Sequence, residues 1–521
     1  MNTVFETFHQ TALTHRDRAF LSVTAETAAA YQIEPGDIIY SQALDAVLHL
    51  RRRYAEAGYG PGLRIGLLLE NRPAFLLHWF ALNALGVSIV PLNPDLRVIE
   101  LSYVIAHSEL VAVIAVPSRH AALRQAAGDR PVAITAPDEM PATVTRPAVA
   151  WDEAALLYTS GTTGQPKGCV LANSYFLAAG DWYTRLGGLA ALRIGGERML
   201  TPLPLFHMNA LACSVMAMLI TGGCLIPLDR FHPLSWWRTV RESGATVIHY
   251  LGVMPAMLMV DSAAADDRDH AVRFGFGAGV DGKLHAAFEQ RFGFPLIEAW
   301  AMTETGAGAM IAAGDEPRHI GTCCFGRPGS EVECRIVHED GSDAEQGELL
   351  VRHAGPDRGF GFFREYLKDA AATAEAWLDG WFHTSDVVRR GPDGSLHFVD
   401  RRKNVIRRSG ENIAAVEVES ALRQHPSIAD AAVAPIADAL RGEEVFACIV
   451  PRGEADAALA RDIAAWCVER LAYYKAPGFI AFVAELPLTS TQKIQRGELR
   501  SAVAELAATA HDTRGLKRRP A

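Results

Sequence analysis

Between residues 63 and 90 the chain runs apolar strand, helix, apolar strand, and this stretch constrains the fold more than any other. Residues 63–69 are a short apolar run with the character of a buried strand. Residues 73–85 read as a helix with Pro73 at its start, and 87–90 form a second run closed by Pro91 and the Asn93-Pro94 turn. A strand–helix–strand unit of this length implies a parallel sheet. Just before it, Leu44, Val47, Leu48 and Tyr54 recur at helical spacing, with Gly58 as the stop. Further on, 245–251 is a strand candidate and 284–292 a helix. The expectation is an α/β fold: a large N-terminal region built of α/β sheets.

The pattern changes after Gly329. Residues 331–338, 348–352 and 395–399 read as short strands separated by the turns Asp340-Gly341, Asp379-Gly380 and Asp393-Gly394, which predicts a β-rich subdomain. A basic run, Arg401, Arg402, Lys403, Arg407 and Arg408, follows. The last part of the chain reads as a small α+β unit in which Leu459, Ile463, Cys467 and Leu471 line one helix face. The tail from Ala507, ending Lys517-Arg-Arg-Pro-Ala, reads as loose.

At 521 residues and 49% hydrophobic, the chain can bury a large core spread over a few structural units. A formal net charge of −10, with no zinc-finger or RNA-binding signature, argues against a nucleic-acid partner. None of the eight cysteines forms a CxxC pair or a Cys/His cluster of zinc spacing, so they read as reduced thiols of a cytoplasmic protein. The N-terminus has no basic region leading into an apolar run, as a signal peptide would. Residues 208–228 are apolar enough to test as a membrane span, but Asn209, Ser214, Thr221 and Gly222-Gly223 interrupt them. A buried helix up to Thr221, a turn and the strand Cys224-Leu-Ile-Pro fit better, so no membrane span is expected.

The densest chemical signal is Tyr158-Thr-Ser-Gly-Thr-Thr-Gly-Gln-Pro-Lys-Gly168, a loop leaving the apolar run 154–157. Hydroxyls at Thr159, Ser160, Thr162 and Thr163, the backbone freedom of Gly161 and Gly164, and the charge of Lys167 together suit a polyphosphate. The order is not that of a Walker A loop. The motif resembles the phosphate loop of the adenylate-forming superfamily, which comprises acyl-CoA synthetases, nonribosomal peptide adenylation domains and firefly-type luciferases.

Further motifs extend the resemblance over nearly the whole chain. Ala299-Trp-Ala-Met-Thr-Glu304 is similar to the adenine and magnesium motif. The resemblance implies that Trp300 lies against adenine, that Thr303 donates to the α-phosphate and that Glu304 binds Mg²⁺, a hard cation suited to carboxylate oxygen. Trp300-Ala301 stands where the family usually has Tyr-Gly. Residues 274–279, with Gly277 and Ala278, resemble the strand and loop beside the adenine. In Gly380-Trp-Phe-His-Thr-Ser-Asp386, Asp386 matches the ribose carboxylate and Arg401 the second ribose contact, while Ser385 replaces a usual Gly and so tightens the local backbone.

Lys403 matches the hinge, and Gly410, within Arg408-Ser-Gly-Glu-Asn-Ile413, matches the loop lining the pantetheine tunnel, with neighbouring basic residues available to CoA phosphates. Lys493 in Leu486-Pro-Leu-Thr-Ser-Thr-Gln-Lys493 matches the catalytic lysine, although Gln492 precedes it in place of Gly. His207 in Pro204-Leu-Phe-His207 matches the aromatic gate of the acyl tunnel.

The resemblance thus implies an N-terminal adenylation domain over 1–400, a hinge at 401–403 and a small mobile C-terminal domain over 404–521. It implies an acid–thiol ligase using ATP, Mg²⁺ and coenzyme A on a small-molecule carboxylic acid, with a homodimer left open. Loading of a separate carrier protein and a catalytically silent nucleotide-binding scaffold are the rival readings. The phrases Phe398-Val-Asp-Arg-Arg and Arg408-Ser-Gly-Glu-Asn are most similar to crotonobetaine/carnitine-CoA ligases. Trp236, Trp237 and Tyr250 would offer aromatic faces to a betaine, with ordinary core as the competing assignment.

Overall fold

The computed structural model describes residues 3–139, 142–143, 152–159, 165–401, 405–487 and 494–518, without the side chains of Asp400, Arg401 and Arg496. Among these residues four sheets form. The strand–helix–strand unit is present as Arg64–Leu68, the helix Pro73–Asn83 and Ser88–Pro91, with Ile65 beside Ile89 in parallel register. Ala112–Ala115 adds on the other side, again parallel, and the sheet reaches seven strands. Towards its far end comes the antiparallel hairpin Glu153–Thr159 and Lys167–Ala172, edged by the short strand Glu365–Tyr366. A second, eight-stranded sheet places Phe274–Ala278 between Val247–Leu251 and Leu296–Trp300, all parallel.

One core takes side chains from both sheets and from the helices packed on them. The helix Pro73–Asn83 has no polar face, and Phe75, Trp79 and Phe80 are all buried, with Phe8 stacked on Phe80 at 4.6 Å. The helix over Leu44, Val47 and Tyr54 runs Tyr40–Glu56 and buries those three, whereas Leu48 is 36% exposed at its edge. Residues 208–228 fold as expected, with one difference: the helix opens with a π-helical turn, Asn209–Ser214, before Val215–Thr221 and the strand Cys224–Pro227. No helix among the described residues is long and apolar enough to cross a membrane.

A third, antiparallel sheet holds the strands Val332–Val337, Gln346–His353, Trp381–Arg390 and Leu396–Arg401. At its hairpin Asp379 and Gly380 both take positive φ, 52° and 76°, which the two central residues of a tight primed turn require. The C-terminal domain is built on a fourth sheet, in which the long hairpin Ile428–Asp438 and Gly442–Pro451 is covered by the helices Ala415–Arg423 and Ala457–Arg470.

The tail departs from expectation. Instead of hanging loose, His511–Asp512 pairs with Phe479–Phe482, Thr513 Oγ1 donates to the Pro477 carbonyl at 2.8 Å, and Lys517 is buried against Glu444. Strand pairing, the Thr513 hydroxyl and a buried ionic cluster together anchor it. Glu444 is fully buried and needs cations, and it takes Arg408 Nε at 2.8 Å from one side and the Lys517 ammonium from the other. Burial alone would raise the Glu444 carboxyl, and these two cations hold it below its usual range. One carboxylate cannot balance both, so burial and the nearby Arg408 push Lys517 down to about 7.

Candidate active site

Thr159 and Lys167 are cross-strand partners at the neck of the hairpin, so they frame the glycine-rich loop. Ser160, Gly161, Thr162, Thr163 and Gly164 themselves lie outside the described residues. Beside this neck sits Glu304, 7% exposed. Its Oε1 accepts from Tyr366 at 2.9 Å and from Thr159 Oγ1 at 3.4 Å. Lys167 Nζ lies 4.9 Å over the Tyr366 ring and 3.9 Å from Asp369. The fold thus gathers two distant motifs into one cluster of hydroxyls, a carboxylate and an ammonium.

No group of three His, Cys, Asp or Glu side chains that could cage a metal occurs among the described residues. Glu304, with the Thr159 hydroxyl beside it, suits Mg²⁺, which is commonly held by one or two carboxylates together with substrate phosphates. Tyr366 carries no signal in the sequence, because a lone tyrosine in a two-residue strand belongs to no recognisable pattern.

Thr303 is fixed through its carbonyl, which accepts from Tyr175 at 2.9 Å. Ala299 and Trp300 end the strand Leu296–Trp300. The Trp300 indole N–H donates to Asp386 Oδ2 at 2.9 Å, tying the second sheet to the third. Asp386 is fully buried and stands opposite Arg401 in the strand register. Ser385 occupies φ +60°, the left-handed region a glycine would enter freely, and its N–H donates to Glu348 at 3.0 Å.

Gly277 faces the backbone of Tyr250, where an added Cβ would lie 2.2 Å from the carbonyl oxygen, so no other residue fits there. Next to it, Ala278 closes the strand. The loop beyond is held by Glu298, which accepts from the N–H groups of Gly279 at 2.8 Å and Val280 at 3.2 Å and from the Tyr250 hydroxyl at 2.8 Å. Burial raises the Glu298 carboxyl despite these donors. Glu298 escaped the sequence reading, although one acid in the buried strand Leu-Ile-Glu-Ala-Trp was a usable signal.

A cavity of about 300 Å³ opens between the two domains, lined by Thr159, Thr303 and His207 on one side and by Glu411, Tyr474 and Lys475 on the other. His207 Nε2 lies 3.5 Å from Glu411. Burial would raise Glu411, but His207, Lys475 and Tyr474 together hold it low. Gly410, at φ +89°, presses on Leu251 so closely that a Cβ would lie 2.3 Å from its Cδ1. Three further contacts cross the interface. Asn93 donates to the Tyr474 hydroxyl at 3.0 Å, Arg97 to the Leu471 carbonyl at 3.2 Å, and Lys475 to Glu100 at 2.6 Å.

One expectation is corrected, and the choice left open for three aromatic rings falls to ordinary core. Arg408, read as a basic residue available to CoA phosphates, is buried and committed to Glu444. Trp236, Trp237 and Tyr250 present no open aromatic cage. Trp237 stacks on Phe292 at 4.3 Å, and all three pack in a hydrophobic cluster with Phe288 and Phe294. Lys403, Lys493 and the Arg401 side chain lie outside the described residues.

The AMP-binding enzyme family matches residues 9–367, and its C-terminal domain matches 417–493. This chain belongs to the AMP-binding enzyme family. The AMP-binding enzyme is 34% identical to a sulfoacetate–CoA ligase of Cupriavidus necator over 86% of this chain and 89% of that one. It is 30% identical to a crotonobetaine/carnitine–CoA ligase of Salmonella paratyphi A over 88% and 92%. Among solved structures, it shares the fold of o-succinylbenzoate CoA synthetase from Bacillus subtilis. A double mutant bound with the product analogue OSB-NCoA gives a TM-score of 0.81 at 24% identity, covering 95% of this chain and 98% of that one. The complex with the acyl-adenylate intermediate OSB-AMP gives 0.66 at 25% identity, covering 95% and 97%.

Proposed function

We propose that this AMP-binding enzyme is an ATP-dependent acyl-CoA ligase. A carboxylic acid and ATP give acyl-AMP and pyrophosphate, and coenzyme A then gives acyl-CoA and AMP. The carrying observation is the cavity that joins Thr159 and Thr303 to Glu411 beside the Gly410 turn, because a second substrate reaching the adenylate from the domain interface needs such a passage.

In the first step a carboxylate oxygen attacks the α-phosphorus and the bond to pyrophosphate breaks. This is work of positioning and charge neutralisation. Thr159, the loop 160–164 and Lys167 hold the phosphates, Thr303 donates to the α-phosphate, and Lys493 stabilises charge on the reacting oxygens. Magnesium at Glu304 would neutralise phosphate charge. Gly277, Ala278, Ala299 and Trp300 border the adenine, and Asp386 with Arg401 takes the ribose. In the second step the CoA thiolate attacks the adenylate carbonyl and AMP leaves.

The domains in this reading are 1–400 and 404–521, turning about Lys403. The contacts of Gly410 with Leu251 and of His207 with Glu411 support a docking of the C-terminal domain suited to the second step. Eight unpaired cysteines fit a cytoplasmic enzyme.

The acid is read as a small or medium carboxylate. The two relatives above are named for acids whose other group differs in charge, an anionic sulfonate against a quaternary ammonium, and the rings of Trp236, Trp237 and Tyr250 are core. Pyrophosphate release measured with and without CoA tests the reaction, over a panel holding sulfoacetate, crotonobetaine, butyrate, octanoate and benzoate. A CoA-dependent thioester supports a ligase. ATP binding with no pyrophosphate from any acid would support the scaffold instead.

A further inference from the structure

Glu100, Lys475 and Glu417 form a buried charge cluster in the wall of the interdomain cavity, with side-chain exposures of 8%, 7% and 9%. Lys475 donates to Glu100 at 2.6 Å and to Glu417 at 2.7 Å. The two acids differ in one respect. Glu417 lies on the helix Ala415–Arg423 of the same domain as Lys475, whereas Glu100 lies on the helix Val98–His107 of the N-terminal domain. If the C-terminal domain turns, Lys475 keeps Glu417 and loses Glu100. The Lys475–Glu100 contact therefore exists in one orientation only, which is what a contact must do to bias a two-state equilibrium.

Other contacts across the interface are weaker candidates. Asn93 with Tyr474 and Arg97 with the Leu471 carbonyl pair only one charged group or none, and His207 opposite Glu411 is 41% exposed at 3.5 Å, where an ion pair contributes little. Glu100 is also pre-placed: its second oxygen accepts from the Arg97 backbone N–H at 2.8 Å, the reciprocal arm of a helix cap.

Resting on the two-step ligase reading, we propose that Glu100 is a positioning residue which receives Lys475 and holds the C-terminal domain docked for thioester formation. Glu100→Gln keeps the shape and the cap acceptor but removes the charge. The equilibrium constant for docking should fall about tenfold, the scale of one charge-assisted hydrogen bond, and the rate of thioester formation from preformed acyl-adenylate and CoA should fall with the docked population. Adenylation, followed as pyrophosphate release, should hold or rise. Glu417→Gln, which leaves the cross-domain contact in place, should keep the docked population.

Docking is read without turnover, from energy transfer between dyes on keto amino acids introduced at exposed Val260 and Leu440. Unchanged energy transfer and an unchanged thioester step in Glu100→Gln would overturn the proposal. So would an equal loss in both half-reactions with a lowered Tm, which would mark Glu100 as merely structural. A wild-type enzyme that releases no pyrophosphate would defeat the ligase reading instead, while the energy-transfer comparison would still decide the role of Glu100.

Discussion

Replacing Gly410 by alanine separates what belongs to one domain from what belongs to the contact between two. The substitution has two consequences of different kind. Gly410 sits at φ +89°, and an L-residue there is strained by roughly 1–2 kcal/mol wherever the domain stands. The added Cβ also meets Leu251 Cδ1 at 2.3 Å, but only while the domains are docked. Leu251 must leave its rotamer, at about 0.5–1.5 kcal/mol. The first effect lowers Tm and leaves the balance between half-reactions unchanged. The second slows thioester formation about 2- to 12-fold relative to adenylation. Stopped-flow measurement of each half-reaction reads the ratio, and Leu251→Ala in the same chain should restore it by removing the colliding methyl. An equal fall in both half-reactions, or no rescue by Leu251→Ala, would refute the claim that the observed contact is that of the second step.

Three further outcomes follow from individual residues. Ser385→Gly should raise stability by about 1 kcal/mol in denaturant unfolding, because φ +60° is free to glycine; a destabilised variant would mean that the hydroxyl is needed. Lys493→Ala should slow adenylation ~10²–10³-fold while sparing thioester formation from preformed acyl-AMP, and equal losses would remove Lys493 from the first step. Lys517 has a folded pKa of about 7, below its unfolded value, so the unfolded chain binds more protons from about pH 7 upward and stability should rise with pH there. Lys517→Met should flatten that rise in melts compared across pH 6 to 10, and identical slopes would show that Lys517 is not the titrating group.

What the sequence disclosed was local. Alternating apolar runs located the strands of the parallel sheets, the Asp-Gly pairs located the turns, and the phosphate loop announced itself by composition within eleven residues. What it concealed was carried by pairing at a distance. Lys475 belongs to no motif and gains its meaning only when the fold brings it to Glu100, 375 residues away. The tail reads as loose because only Arg514 has an acid nearby, Asp512; the partner of Lys517, Glu444, is 73 residues upstream. Tyr366 and Glu304 meet across 62 residues, and only the sheet that carries Tyr366 makes them neighbours. For Trp236 and Trp237, on the helix Trp236–Ser243, the sequence left core and betaine contact both open, and packing against Phe292 and its neighbours decides for core.

The central claim is that a carboxylate oxygen attacks the α-phosphorus and stays there. The direct measurement is mass spectrometry of the AMP formed from ¹⁸O-carboxylate, ATP and CoA by the unmodified enzyme. The account predicts AMP carrying one labelled oxygen, formed in equal amount with acyl-CoA. Unlabelled AMP, or label appearing in inorganic phosphate alongside ADP, would contradict it.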